Sequence, residues 1–328
     1  MEKLVAQFPK HISDALEIAR GSDLRDLGEY AFSNVVICGM GGSGIGGKMV
    51  AQWFSSVAKT PIILLQDYDI PSFITGKTLF IASSYSGNTE ETLSAVQKAA
   101  KLGAKIVGVC SGGELYKFCQ DNAFHVIKVP GGNPPRTMLA FSVTQLVHIL
   151  ANAKIIPSDS LDRIDKCRNL LNKELVAIKE EAKKLATFAH NVQLILYSTN
   201  QYEAIIIRAR QQFNENSKQL CWHHVIPEMN HNELVGWGGG KPEFAVVFFE
   251  SQFISEQNKL RVSITRDVVL EKTDKCITIQ GAGKNIFEES FYFIHIVDWA
   301  SLYLGELNHV DPMDIKVIDY LKDQLRKS

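Results

Sequence analysis

Val35-Val36-Ile37-Cys38-Gly39-Met40-Gly41-Gly42-Ser43-Gly44-Ile45-Gly46-Gly47 is the stretch that decides the fold. Its four leading apolar residues form an unbroken run, which reads as a strand buried on both faces, as in the middle of a parallel sheet. The glycines after it read as a strand-to-helix turn. Residues 39–44 satisfy G-x-G-x-x-G, a pattern that brings backbone N–H groups close to an anion at a helix N-terminus. Close helix–strand packing also uses glycine. Six glycines in nine residues exceed what packing needs, so the phosphate reading is preferred here.

The same strand pattern recurs on either side. Residues 61–65, 78–82, 105–109 and 125–129 are further apolar runs, with a helical pattern from Thr89 to Leu102 and another from Leu139 to Leu150. Residues 3–31 have helical spacing. A charged stretch from Leu161 to His190 reads as one long helix. The alternation then restarts, with strands at 192–197, 244–249 and 276–279 and helices at 203–214, 291–304 and 312–325. Strands alternating with helices imply an α/β fold of parallel sheets covered by helices on both faces. Two such halves are expected, 1–152 and 153–328.

Composition narrows the class. A chain of 328 residues fits one or two domains. Lys+Arg number 35 and Asp+Glu 36, which argues against a nucleic-acid partner but leaves room for a small anion. No apolar run has the roughly 20 residues of a membrane helix, and no signal peptide is visible at the N-terminus. The six cysteines are scattered, none in a C-x-x-C pair, and read as reduced thiols of a cytoplasmic protein. Cys221-Trp222-His223-His224 lacks zinc-ligand spacing, so no metal is expected, and the two histidines read as structural or exposed.

Two chemistries compete at the glycine turn. Asp67 and Asp69 lie about 20 residues beyond it, where a dinucleotide fold keeps its ribose-binding acid. That pattern suggests a nicotinamide-dependent oxidoreductase. The turn after the third strand points elsewhere. Ser83-Ser84-Tyr85-Ser86-Gly87-Asn88-Thr89-Glu90-Glu91 places Ser84, Ser86 and Thr89 where they could converge on one phosphoryl group at a helix N-terminus. Thr89 as an N-cap is the plainer explanation. A cap alone, however, needs neither three hydroxyls nor a glycine.

Ser84-Tyr85-Ser86-Gly87-Asn88-Thr89, with Gly41-Gly42-Ser43-Gly44 upstream, resembles the sugar isomerase (SIS) domain. Two copies in a chain of this length resemble the bifunctional phosphoglucose/phosphomannose isomerases, and the resemblance extends over nearly the whole chain. It implies two SIS-type halves and a phosphate held by Gly42, Ser43, Ser84, Ser86 and Thr89.

Further motifs extend the resemblance. Gly131-Gly132-Asn133-Pro134-Pro135-Arg136 sets a guanidinium after a rigid turn, suited to stabilising a developing anion. Phe213-Asn214-Glu215-Asn216-Ser217 and Asn230-His231-Asn232-Glu233 place an acid and a histidine in strongly polar settings. The resemblance implies Glu215 as the base that moves a proton between C1 and C2, His231 as the ring-opening acid/base, and Arg136 as the stabiliser of the enediolate. It also implies a lysine from the C-terminal helix, with Lys322 the match and Lys316 the second candidate. Met313 and Asp314 stand where the family usually has a small hydroxyl residue.

The resemblance thus implies a cofactor-free isomerase of hexose 6-phosphates, acting on glucose 6-phosphate and mannose 6-phosphate, and a homodimer whose histidine is contributed across a shared active site. The competing readings are the oxidoreductase and a non-catalytic sugar-phosphate-binding regulator. The regulator would dispense with Glu215 and His231. A ketose–amine transferring enzyme would need a glutaminase domain or a reactive lysine site, and neither is evident.

Overall fold

The computed structural model describes residues 1–325 and 327 and divides into two units. The N-terminal unit comprises Ala6–Lys173 and Ala282–Tyr292. The C-terminal unit comprises Met1–Val5, Glu174–Gly281 and Phe293–Ser328. In chain order the first half runs α1 (Glu2–Ala6), α2 (Phe8–Gly21), β1 (Asn34–Cys38), α3 (Gly41–Trp53), β2 (Ile62–Leu65), β3 (Thr78–Ser83), α4 (Glu90–Lys101), β4 (Lys105–Cys110), α5 (Gly113–Asp121), β5 (His125–Lys128), α6 (Leu139–Asn152) and α7 (Ser160–Lys173). The second half runs α8 (Leu175–Ala189), β6 (Gln193–Thr199), α9 (Glu203–Ser217), β7 (Cys221–Ile226), α10 (Glu233–Gly236), β8 (Phe244–Glu250), α11 (Glu256–Leu270), β9 (Cys276–Gln280), α12 (Ile286–Leu307) and α13 (Lys316–Leu325).

The expected α/β fold of two parallel sheets is what the chain adopts. The N-terminal sheet has the order β2-β1-β3-β4-β5, and every pairing is parallel. All six residues of β3 are buried, and Val35 to Cys38 of β1 are at most 1% exposed. Burial on both faces is why these strands are continuous apolar runs rather than alternating ones. From β1 the chain moves outward to β2, then crosses back to β3. The strand order therefore reverses between β1 and β3, and the loops leaving their C-terminal ends open a crevice. The C-terminal sheet, β7-β6-β8-β9, is also fully parallel and has the same reversal between β6 and β8.

Several local expectations change. The stretch 161–190 is two helices, α7 and α8, separated at Glu174 (φ −93°, ψ 8°). Its apolar positions serve different cores. Ile164, Cys167 and Leu171 of α7 are buried in the N-terminal unit, where α7 packs on α2 and α6. Ile178, Ala182 and Leu185 of α8 are buried in the C-terminal unit. The pattern over 3–31 likewise resolves into α1, α2 and a 3-10 turn at Arg25–Glu29. The last helix starts at Lys316 rather than at Pro312. The strand β7 had no counterpart in the sequence reading. It lies at a sheet edge, where polar and apolar residues mix and no apolar run marks it.

Candidate active site

The glycine segment is mostly helix. The helix α3 begins at Gly41, so residues 41–47 form its opening turns instead of an open loop. Packing claims part of this run: a Cβ on Gly47 would lie 2.9 Å from Ile37 Cγ2 and 3.0 Å from Leu64 Cδ2, so only glycine lets α3 settle onto β1 and β2. The N-terminal end remains for ligand chemistry, with Ser43 in the first turn and buried. Of the acids a dinucleotide site would use, Asp69 forms an ion pair with Lys98 (2.7 Å) and the Asp67 carboxylate accepts from the Tyr68 amide (2.7 Å).

The loop after β3 is built onto this helix start. The Tyr85 amide donates to Ser43 Oγ (3.2 Å), which ties the loops leaving β1 and β3 together at the reversal point. Ser84 is 2% exposed, and its Oγ lies 2.9 Å from Thr89 Oγ1 and accepts from the Gly87 amide (3.2 Å). Gly87 makes this turn with φ +71°, and a Cβ there would lie 1.8 Å from the Gly112 carbonyl oxygen. Ser86 is turned to its own loop. It is exposed, and its Oγ accepts from the Asn88 amide (3.2 Å).

Arg136 enters from the same side. Pro134 and Pro135 lead into a 3-10 turn, Pro135–Thr137, and Arg136 is 5% exposed. Its backbone passes close to α3: a Cβ on Gly42 would meet the Pro135 carbonyl oxygen at 3.3 Å and Arg136 Cα at 3.7 Å. Gly42, Ser43, Tyr85 and Pro135 line one small hollow. Tyr85 joins the third loop to the other two, because its phenol oxygen accepts from the Asn133 amide (3.2 Å); burial pushes that phenol up from its ordinary pKa. The N-terminal unit thus gathers Gly42, Ser43, Ser84, Thr89 and Arg136 around three loops at the C-terminal edge of its sheet. The sequence reading missed Tyr85, since a tyrosine between two serines carries no signal of its own.

The C-terminal unit presents the remaining candidates on separate segments. Glu215 is half-buried in the last turn of α9. The end of that helix is held firmly. Asn216 donates to Ser301 Oγ (2.9 Å), Ser217 Oγ to the Ser301 carbonyl (2.7 Å), and Lys218 Nζ to the carbonyls of Glu215 (2.6 Å) and Asp311 (2.8 Å). A carboxylate at a helix C-terminus gains nothing from the helix dipole, so helix stability alone does not explain Glu215. His231 is exposed and closes a 3-10 turn, Glu228–His231. Lys322 is exposed on α13, whereas Lys316 pairs with Asp314 (3.2 Å).

His224, set aside in the sequence reading, makes a specific contact. Its Nδ1 lies 2.7 Å from Glu233 Oε2, and the Tyr197 hydroxyl donates to Glu233 Oε1. The six cysteines form no disulfide. Burial pushes the Cys38 thiol up to about 12 and the Cys110 thiol up to about 11, which keeps both protonated and unreactive. Among the described residues no group of three or more His, Cys, Asp or Glu could hold a metal ion, and no helix is long and apolar enough to cross a membrane.

Comparison with known proteins gives a consistent picture. Residues 32–153 match the SIS domain family, and residues 178–325 match the family described as the bacterial phospho-glucose isomerase C-terminal SIS domain. The bifunctional phosphoglucose/phosphomannose isomerase of Caldicellulosiruptor bescii is 35% identical, over 99% of this chain and 98% of its own length. The protein of the same description from Aquifex aeolicus is 32% identical, over 92% of this chain and 93% of its own. Among solved structures, the C-terminal domain of glucosamine-fructose-6-phosphate aminotransferase from Francisella tularensis aligns with a TM-score of 0.78 and 16% identity, covering 95% of this chain and 97% of that one. At that identity the likeness is one of fold.

Proposed function

The chain belongs to the bifunctional phosphoglucose/phosphomannose isomerase family, and we propose that it converts glucose 6-phosphate and mannose 6-phosphate to fructose 6-phosphate by proton transfer through an enediolate. The observation that carries this reading is the convergence of Ser43, Ser84, Thr89 and the Arg136 turn where the strand order reverses between β1 and β3. Neutral hydroxyls, loop amides and helix starts suit one phosphoryl group, which is how a chain of net charge −1 binds an anionic substrate.

The roles follow from what the reaction needs. The phosphate sits on Gly42, Ser43, Ser84 and Thr89; Ser86, whose Oγ accepts from the Asn88 amide, keeps its hydroxyl hydrogen for the same anion. His231 moves the proton between ring oxygen and hydroxyl that opens the sugar. Glu215 carries the proton between C1 and C2. Arg136 stabilises the enediolate, and Lys322 assists from α13. Glucose and mannose differ only at C2, so one enediolate serves both.

A homodimer with a shared site belongs to the same reading. The helix α13 has no buried residue, and Val317, Ile318, Tyr320, Leu321 and Leu325 are 40–82% exposed along it. An amphipathic helix with its apolar stripe in water calls for a partner surface. A cytoplasmic setting fits the six unpaired cysteines.

The test is an isomerase assay on both aldose phosphates in the presence of a chelator, with Glu215→Gln alongside. Activity should survive the chelator, and the variant should lose at least ~100-fold in kcat, the low end for a positioned base. Full activity in Glu215→Gln would refute the mechanism. Binding of sugar phosphate without turnover would favour the regulator.

A further inference from the structure

The segment that carries His231 is a weak platform by itself. Between β7 and β8 it consists of the Glu228–His231 turn, the four-residue α10 and a second 3-10 turn, Trp237–Gly239. Elements this short have no helical stability of their own. Side-chain anchors must hold them. Met229 and Trp237 are buried in the cluster that contains Tyr197 and Phe248. Asn230 Nδ2 donates to Thr265 Oγ1 on α11 (2.8 Å).

Glu233 supplies an anchor of a different kind. One carboxylate oxygen accepts from the Tyr197 hydroxyl and the other faces His224 Nδ1 at 2.7 Å. Tyr197 and His224 are register partners on β6 and β7, so the carboxylate bridges two neighbouring strands. The Tyr197 oxygen accepts in turn from Trp237 Nε1 (3.0 Å), which draws the far end of the segment into the same network. Where the Glu233 carboxylate accepts from His224, the ring hydrogen sits on Nδ1. Asn232 caps α10 through the Glu233 amide (2.5 Å) and donates to Glu228 Oε1 (3.0 Å). His231 therefore lies between two ties, Asn230 to α11 and Glu233 to the sheet. Holding a loop down needs only an apolar side chain, which would avoid the cost of half-burying a charge. Two directional bonds to adjacent strands fix its orientation as well.

We propose that Glu233 is a positioning residue for ring opening, clasping β6 and β7 so that His231 is presented at a fixed place and angle; the proposal rests on the reading of His231 as the ring-opening acid/base. Glu233→Gln is the informative variant. It keeps shape and can still accept from Tyr197, but its amide NH₂ can pair with His224 Nδ1 only if the ring hydrogen moves to Nε2, and the carboxylate's charge is gone, so the clasp is weakened.

Ring opening can be read apart from isomerisation. Enzyme-catalysed exchange between the two anomers of glucose 6-phosphate, followed by NMR saturation transfer, needs ring opening but no C–H chemistry. Deuterium uptake at C2 reports the Glu215 step. Glu233→Gln should slow anomer exchange by about 10- to 100-fold, as expected for a reacting group displaced by up to an ångström. KM and melting temperature should change little. Tyr197→Phe, which removes one bond of the clasp and preserves packing, should show a smaller loss of the same kind. Glu215→Gln should abolish deuterium uptake.

The proposal is overturned if Glu233→Gln exchanges anomers at the wild-type rate. It is overturned equally if both variants lose all activities only in step with their loss of folded protein. A wild-type enzyme that isomerises without accelerating anomer exchange removes the ring-opening role and Glu233's with it. Failure of the isomerase reading would show separately, as a wild-type enzyme without turnover.

Discussion

Ser84 Oγ and Thr89 Oγ1 lie 2.9 Å apart, although Thr89 occupies the N-cap position of α4, where a threonine hydroxyl ordinarily accepts from the helix's own amides. The side chain makes no such capping bond. The hydroxyl is directed to its neighbour across the loop, so the plain capping explanation does not account for this residue. In the proposed function, these two paired hydroxyls at a helix start are the receptor for phosphoryl oxygens. Hydrogen bonds to charged groups contribute about 1.5–3 kcal/mol, so Ser84→Ala should raise KM for glucose 6-phosphate roughly 10- to 100-fold. Thr89→Val should act in the same direction. A phosphate held there would be bound alike in ground state and transition state, so kcat should move far less. Steady-state kinetics separate the two, and competitive inhibition by inorganic phosphate should weaken in parallel.

Gly87 is the backbone counterpart of this pair. Its φ of +71° costs an L-residue about 1–2 kcal/mol, and a Cβ would sit 1.8 Å from the Gly112 carbonyl oxygen. The obstacle is backbone, so no rotamer change relieves it. Gly87→Ala should therefore displace the 84–89 turn, lower the melting temperature and weaken phosphate binding more than Ser84→Ala does. Thermal unfolding with and without inorganic phosphate checks both, because a broken cradle loses the stabilisation that the ligand confers.

How far the sequence reading reached depends on where each residue's signal comes from. The strands β1 and β3 were legible because burial on both faces demands an unbroken apolar run. The edge strand β7 was not, since Trp222, His223 and His224 carry no period. The glycine run was legible as a strand-to-helix turn, but the packing duty of its last glycine was not. Gly47 answers to Ile37 and Leu64, contacts that no local pattern reveals. The Ser84–Thr89 cluster could be proposed because its hydroxyls are close in sequence. Tyr85 and Glu233 could not, as their partners Ser43, Asn133, Tyr197 and His224 come from other loops and strands. Glu174 shows the same limit: a break between two helices set by which core each apolar stripe faces leaves no proline or glycine behind.

The stripe on α13 makes a separate prediction. Val317 is 82% exposed, and Leu321 and Leu325 follow it at helical spacing. Covering a valine side chain stabilises by about 1.5–3 kcal/mol. A glutamate at that place would lose this and bury a charge as well. Val317→Glu should shift the protein towards monomer, seen by light scattering across a dilution series. If the histidine is donated between subunits, specific activity should fall along the same dilution curve, while the folded content of the monomer stays intact by circular dichroism. A monomer with full activity would contradict the shared site.

Acid stability is set in part by His295, in the middle of α12. The ring is buried, its Nε2 accepts from Trp299 Nε1 (3.1 Å), and burial pushes its pKa down to about 3. An unfolded chain protonates histidine near 6.5. Between those values the unfolded state binds one more proton than the folded state, so stability rises with pH across the window and is lost as pH falls from about 6.5 towards 3. Burial also lowers the pKa of His11 and His148, which adds to the same slope. Within the window each pH unit removes about 1.4 kcal/mol for one such group. The melting temperature should therefore drop steadily below pH 6.5. His295→Gln, whose amide oxygen can still accept from Trp299, should start from a lower stability at pH 7 and fall less steeply. Parallel curves for wild type and variant between pH 6.5 and 4 would show that His295 is not the group being titrated.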